Sequence, residues 1–351
     1  MADSLSPPTD PPCEPTDRTR PQKELPVSLQ EPVFFDVSQE NKDTDIEALS
    51  QGLLAHPATL SPKYFYDAMG SVLFDAITLL PEYYPTRTEH HILVAHAHAI
   101  HAQLPKQATW VDLGAGSCQK AAHLFSRTLP ATYVAVDISS AYLANQLKDL
   151  QAQHPQVNMV GVGMDFSQSL TFPAALQQQL SAHPVLTLYL GSSLGNFTPT
   201  EALSFLQRIA ALCQQGQPGS GLLIGIDLVK ETHTLERAYA DDLGVTAAFN
   251  LNVLRRVNHL LGSDFDVRDW QHCARFNTQA SRIEMHLQAK HDLLVQWNGH
   301  QRHFNQGETI HTENSYKWSI DQFTDQLRAA GFSSIQHWTD PLVHFAVFWA
   351  Q

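Results

Sequence analysis

The stretch Trp110-Val-Asp-Leu-Gly-Ala-Gly-Ser117 limits the folds open to this chain more than any other. An apolar run that carries an acid and breaks into Gly-x-Gly reads as a buried parallel strand, a turn tight enough to bring backbone against a ligand, and a helix beginning near Gln119. A dinucleotide-binding loop needs a third glycine, and that place is held by Gln119. The seat for a pyrophosphate is incomplete, which favours a nucleoside ligand without phosphates. S-adenosylmethionine fits. Gly114 and Gly116 can wrap its amino-acid end, and Asp137, which closes the next apolar run Tyr133-Val-Ala-Val-Asp137, can accept both ribose hydroxyls. The competing reading of the loop alone is an ordinary strand-to-helix turn in some other α/β protein.

From Thr88 to about Lys230 strands and helices are expected to alternate: helix 89–103, strand 108–112, helix 118–127, strand 133–137, helix 140–153, strand 157–161, strand 185–190, helix 200–215 and strand 222–228. That alternation predicts a parallel sheet covered by helices on both faces. Ser319 and Gly331 bracket a further helix, and the runs 334–338 and 345–349 read as a hairpin that completes the sheet. Between 231 and 318 the character changes to two polar helices, followed by alternating runs such as Arg282-Ile-Glu-Met-His-Leu287 that predict a small antiparallel sheet. The expected fold class is thus α/β, a Rossmann-like parallel sheet with an antiparallel last strand, plus a second, mixed α+β lobe for substrate. Residues 31–87 and 231–317 are assigned to that lobe, and residues 88–230 and 318–351 to the nucleotide-type domain. Residues 1–30, with seven prolines and no apolar period, read as a disordered tail.

A net charge of −13 and no dense Lys/Arg cluster argue against a phosphate backbone as partner. No apolar run has transmembrane length and no signal pattern opens the chain, so a cytoplasmic location without membrane association is expected. The four cysteines are scattered without a Cys-x-x-Cys pair, and Cys118 reads as a small loop-filling residue. His90, His91, His96, His98 and His101 crowd one segment, but no nearby Cys or acid completes a tetrahedral set, and no metal is expected.

Beyond the glycine loop, a set of stretches carries a family resemblance: Phe65-Tyr-Asp-Ala-Met-Gly-Ser71, Leu80-Pro-Glu-Tyr-Tyr-Pro-Thr-Arg-Thr-Glu89, Tyr189-Leu-Gly-Ser-Ser-Leu-Gly-Asn196, Asp227-Leu-Val-Lys230, Gly244-Val-Thr-Ala-Ala-Phe-Asn-Leu-Asn-Val253 and Gly307-Glu-Thr-Ile-His-Thr-Glu-Asn-Ser-Tyr-Lys317. From about residue 35 onward the chain resembles the histidine-specific, S-adenosylmethionine-dependent Nα-methyltransferases that make hercynine, the first step of ergothioneine biosynthesis. The sequence does not reveal the oligomeric state, with a monomer favoured. The resemblance implies a small-molecule substrate, L-histidine, whose α-amine is methylated three times. It also implies that Gly114, Gly116 and Lys120 contact the cofactor, with Asp137 on the ribose and Asp165 and Phe166 at the adenine. Tyr83, Asn196 and Tyr239 would surround the amino acid's α-amino and carboxylate groups, and Tyr66 would lie near the amine in a catalytic role. Glu313 and Ser315 would hold the imidazole, with Met285 beside the ring. Physical reasoning supports the last pair, because residues two apart in an extended segment share a face. A ring N–H needs an acceptor, which a carboxylate supplies, and a serine can serve the other nitrogen.

Some of these positions also have a plain reading: Lys120 a solvated helix lysine, Asn196 a helix cap before Thr198-Pro-Thr, Met285 core, Thr312-Glu-Asn-Ser315 a polar edge strand or turn. Two other functions remain open on the sequence alone. One is an enzyme of the same scaffold acting on another aromatic amino acid of tryptophan type, for which Glu313 and Met285 are poorly suited. The other is a cofactor-binding regulatory protein without turnover.

Overall fold

The computed structural model describes residues 31–37 and 42–351, so the tail expected at 1–30 lies outside the described residues. Its main sheet has eight strands: β1 (Val33–Asp36), β3 (Thr109–Leu113), β4 (Thr132–Asp137), β5 (Asn158–Gly163), β6 (Val185–Tyr189), β7 (Gly221–Asp227), β13 (Ile335–Thr339) and β14 (Phe345–Ala350). Their order across the sheet is β1-β5-β4-β3-β6-β7-β14-β13. All neighbours run parallel except β14, which lies antiparallel to β7, and β13, antiparallel to β14. The fold class read from the sequence is the one observed.

Strand β3 is buried along its whole length because both faces are covered. Side chains alternate across the pleat, so Val111 and Leu113 enter one core with Leu176, Phe205 and Phe323 from the helices 174–182, 199–215 and 320–329. Trp110 enters the other, with Ile92, Ile100, Leu124 and Leu147. The helix expected over 89–103 is two helices, Tyr84–Ala95 and Ala97–Gln103, broken at His96, so His91 and His98 do not share one continuous face.

A second sheet has the order β2-β12-β9-β8, with β2 (Ala58–Thr59), β8 (Trp270–Asn277), β9 (Arg282–Ala289) and β12 (Thr309–Tyr316). It shares a third core with the helices 68–78 and 245–261 and with the hairpin β10 (Leu293–Trp297) and β11 (His300–Phe304). The two sheets meet where Leu228, just past β7, bridges Trp318, just past β12.

The structure departs from the expected lobe boundaries at two places. Helix Tyr84–Ala95 straddles residue 87 and packs its Ile92 and Leu93 on the main sheet. Strand β1, placed by the sequence reading in the second lobe, forms the edge of the main sheet. The reason is steric. Phe34 pairs with Gly161, and a Cβ on that glycine would lie 2.3 Å from the Phe34 ring, so the aromatic covers the space a side chain would fill. Gly161→Val should therefore displace Phe34 and cost on the order of 1–3 kcal/mol. A lower thermal midpoint together with faster hydrogen exchange at residues 33–36 is expected, and unchanged exchange there would remove this explanation of the edge.

Candidate functional site

The ends of β3, β4 and β5 form one crevice, outside the carboxyl ends of the parallel strands where ligands of such sheets bind. Gly114 and Gly116 turn with φ of 69° and 50°, which glycine adopts without strain. Cys118 has φ of 60°, is fully buried, and starts the helix Gln119–Phe125, so it fills the loop as its size suggested. Asp137 Oδ2 accepts from the Gly116 amide and Oδ1 from the Ser139 amide, each at 2.9 Å. Each oxygen keeps a lone pair, so a diol can still be bound by a carboxylate that cannot rotate. Desolvation raises its pKa, opposed by those backbone donors. The Phe166 ring edges to 3.6 Å from where a Gly114 Cβ would stand, and packs on Tyr189 and Phe205. Asp165 is partly engaged already: Oδ1 accepts from the Ser167 amide and hydroxyl, and Lys63 lies 3.4 Å from Oδ2.

Lys120 is not a free surface lysine. Its ammonium lies 3.0 Å from Glu89 Oε2, and Glu89 Oε1 accepts from the Gly191 amide at 2.7 Å. Glu89 is buried, and its carboxylate occupies room left by Gly225 of β7, where a Cβ would lie 1.9 Å from Oε1. One buried acid thus ties the helix after the glycine loop to the turn after β6. Two protons of the Lys120 ammonium stay available for a ligand carboxylate.

Beside this crevice lies a cleft of about 570 Å³ of empty space, its open mouth included. Tyr66, Tyr83, Asn196, Tyr239, Met285, Glu313 and Ser315 all line it, so the structure brings together every substrate residue proposed from the sequence. Phe74, Ile77, Thr246, Phe249, Asp227 and the turn Gly191–Ser193 line it too and had been given no role. Their signal was weak: of these only Asp227 and the 191–193 turn sit at a strand's C-terminal end. Phe249 stacks on Phe65 and meets Tyr66 edge-on, forming the apolar wall. Asn196 ends a 3-10 turn, and the cap of the following helix is Thr198, boxed with Glu201. Ser139 joins the two sites, since its amide holds Asp137 while its hydroxyl donates to the Tyr66 carbonyl at 3.2 Å.

Glu313 reaches the cleft through a register shift in β12 between His311 and Glu313, after which it pairs with Met285. Thr312 anchors the irregularity by donating to the Met285 carbonyl at 3.0 Å. Among the described residues no hydrogen bond reaches the side chains of Glu313, Tyr66, Tyr83 or Asn196. Burial pushes the Glu313 carboxyl up to about 8, with the Lys317 charge pulling the other way. Burial likewise raises Tyr66, Tyr83 and Tyr239 above the ordinary tyrosine value, so all three stay neutral phenols. Ser315 Oγ lies 2.7 Å from Tyr239 Oη and 2.8 Å from Lys317 Nζ. In this arrangement Tyr239 spends its one proton on Ser315.

The arrangement comprises a crevice for a nucleoside with a charged tail and, sharing the Gly191 turn and the Ser139 link, a cleft with an apolar wall, polar groups and one acid awaiting a donor. A profile described as histidine-specific methyltransferase, SAM-dependent, matches residues 45–351. The histidine N-alpha-methyltransferase of Mycolicibacterium smegmatis is 37% identical over 327 residues, covering 92% of this chain and 98% of the relative. That of Mycobacterium tuberculosis is 38% identical over 310 residues, covering 84% and 91%. Ergothioneine biosynthesis protein 1 of Neurospora crassa is 28% identical over 81% of this chain and 32% of its own length. With the match extending through both sheets, this chain belongs to the histidine-specific, S-adenosylmethionine-dependent methyltransferase family.

Proposed function

We propose that the cleft binds L-histidine and that its α-amine takes three methyl groups in succession, giving hercynine, the first product on the route to ergothioneine. The observation that carries this reading is Glu313, a buried carboxyl that receives no hydrogen bond among the described residues, two positions from a serine that lines the same cleft. A buried acceptor left unpaired is costly, and an imidazole N–H removes that cost. Indole also offers an N–H but nothing for Ser315, and is larger beside Met285.

When bound, S-adenosylmethionine supplies an electrophilic methyl group, and every other requirement falls on this chain. Gly114, Gly116, Lys120, Asp137, Asp165 and Phe166 would hold it. Tyr83 and Asn196, whose side chains make no hydrogen bond among the described residues, suit the amino acid's α-amino and carboxylate groups. Tyr66 sits at the border with the crevice through its Ser139 contact, which suits a residue that orients the amine. Its ring face also favours the cation that forms. Among the described residues no base is assigned to the amine, since the tyrosines are neutral, Asp227 is bound by two lysines and Glu313 is assigned to the ring. None is needed: an α-amine with an ordinary pKa of roughly 7.7–8.0 can lose its proton to water. Alignment is then the main contribution, with ring and carboxylate held at opposite ends while the amine turns between transfers. Incubating the enzyme and cofactor with each of the twenty amino acids and weighing the products tests the reading. A trimethyl product from another amino acid, and none from histidine, would overturn it.

Three outcomes follow for variants. Asp137→Ala should weaken cofactor binding about tenfold or more, as a charge-assisted hydrogen bond is worth roughly 1.5–3 kcal/mol. Calorimetry reads this directly, and undiminished affinity would remove the assignment.

Glu313→Ala should lower kcat/KM for histidine about tenfold to a hundredfold while leaving cofactor affinity near wild type. Activity toward tryptophan or phenylalanine should fall less, or rise, because bulk and charge leave the ring subsite. Competition between histidine and tryptophan measures the ratio, and retention of the wild-type preference would exclude Glu313 from selectivity.

The same acid should weaken the fold. Its carboxyl is raised from 4.5 to about 8, so the folded state keeps a proton the unfolded chain has lost, and stability falls as pH rises across that window. Glu313→Gln removes the effect. Its thermal midpoint without ligands should exceed that of wild type by on the order of 5 °C at pH 8.5 and by little at pH 5. Equal differences at both pH values would show that the carboxyl does not titrate there.

A further inference from the structure

Behind the substrate cleft lies a charge cluster to which the mechanism above gives no task. Asp227 is fully buried and lies 2.6 Å from Lys230 Nζ and 2.8 Å from Lys317 Nζ, with Tyr84 Oη donating to both of its oxygens at 2.9 and 2.8 Å. Burial alone would raise this carboxyl, but the charges of Lys317 and Lys230 hold it below its ordinary value. Replacing such buried ion pairs by apolar residues is often neutral or stabilising, so stability is a weak reason for their presence.

Lys317 is 3% exposed, and its ammonium has three protons and three partners: Asp227 at 2.8 Å, Ser315 Oγ at 2.8 Å and Tyr239 Oη at 3.2 Å. Ser315 Oγ has two lone pairs and one proton. The lone pairs accept from Lys317 and from Tyr239, so the serine proton is left for the cleft. We propose that Lys317 is a positioning residue for substrate choice, which makes Ser315 a donor toward the substrate ring, opposite the acceptor Glu313. The site then presents one donor and one acceptor. A neutral imidazole has one nitrogen of each kind, whereas imidazolium has two donors, and indole has a donor and no acceptor. Rejection by leaving a site's polar group unpaired is far stronger than rejection by size alone. Asp227 holds Lys317 in turn, and because Asp227 ends β7 while Lys317 follows β12, the proton pattern of the ring subsite is set where the two sheets meet.

The proposal rests on the reading that Glu313 and Ser315 address the ring, and its test separates the two. Lys317→Met keeps length and removes every N–H. Relative to wild type it should lose about tenfold to a hundredfold in kcat/KM for histidine, with cofactor affinity within about twofold. For phenylalanine, whose ring carries no acceptor, the loss should be at least about tenfold smaller. In a Ser315→Ala background the same substitution should cost little more, since Lys317 acts through that hydroxyl. Parallel losses for both substrates, or an undiminished loss in the Ser315→Ala background, would overturn the proposal and mark Lys317 as structural. If Ser315→Ala itself spares the histidine preference, the ring subsite reading fails instead. A measurement on the unaltered enzyme covers the case in which Lys317→Met does not fold: nitrogen NMR of ring-labelled histidine bound with S-adenosylhomocysteine near pH 6. One N–H and one bare nitrogen are expected, and a doubly protonated ring would refute the donor assignment.

Discussion

The contact between Asp227 and Lys317 joins the two sheets of this molecule at the point where they meet. Around it the last residue of β7 and the residue after β12 meet within 2.8 Å, and the backbone bridge Leu228–Trp318 runs alongside. Two lysines surround one aspartate there, and the Lys317 charge also pulls against the burial that raises the Glu313 carboxyl. Asp227, Lys230 and Lys317 form one electrostatic unit, so removing the aspartate leaves buried positive charge without compensation. The placement of Ser315, Tyr239 and Tyr84 follows from the same unit, because each spends a hydrogen bond on it.

Much of this was legible in the chain because it is local. The glycine loop, the acid closing β4 and the alternation of strand and helix depend on neighbours a few residues away, and the main sheet follows them. Glu313 and Ser315 could be read as sharing a face because their spacing matches the strand period. What could not be read depends on distant partners. Strand β1 joins the main sheet because Gly161 leaves room for Phe34. Nothing near Glu89 in the chain announces its burial, which depends on the space that Gly225 opens. The helix break at His96 carries no glycine or proline to announce it. Lys317 reads as a lysine after a polar strand, and only the crossing of two sheets shows that it is buried.

The cleft combines neutral tyrosines with a raised carboxyl, and both follow from the same desolvation. Groups that would be ionised in water are kept uncharged, so the strongest polar interactions are reserved for whatever enters. A carboxyl that resists ionisation in the empty fold gains its charge most readily when a ring donor arrives, which links recognition to the protonation of the site. The stability cost of Glu313 and its use in recognition are thus two consequences of one burial.

The pairing of β2 with β12 and of β7 with β14 bears on how the chain reaches this state during synthesis. Residues 58–59 and 221–227 leave the ribosome long before 309–316 and 345–350. Until the later strands appear, β7 exposes an apolar edge and the small sheet lacks β12, one of its two inner strands, so neither sheet can close on the nascent chain. Such non-local pairing slows folding and leaves strand edges open to association. The substrate cleft is therefore completed late, and a chain stalled before residue 309 would present a sticky sheet edge and lack Glu313 and Ser315.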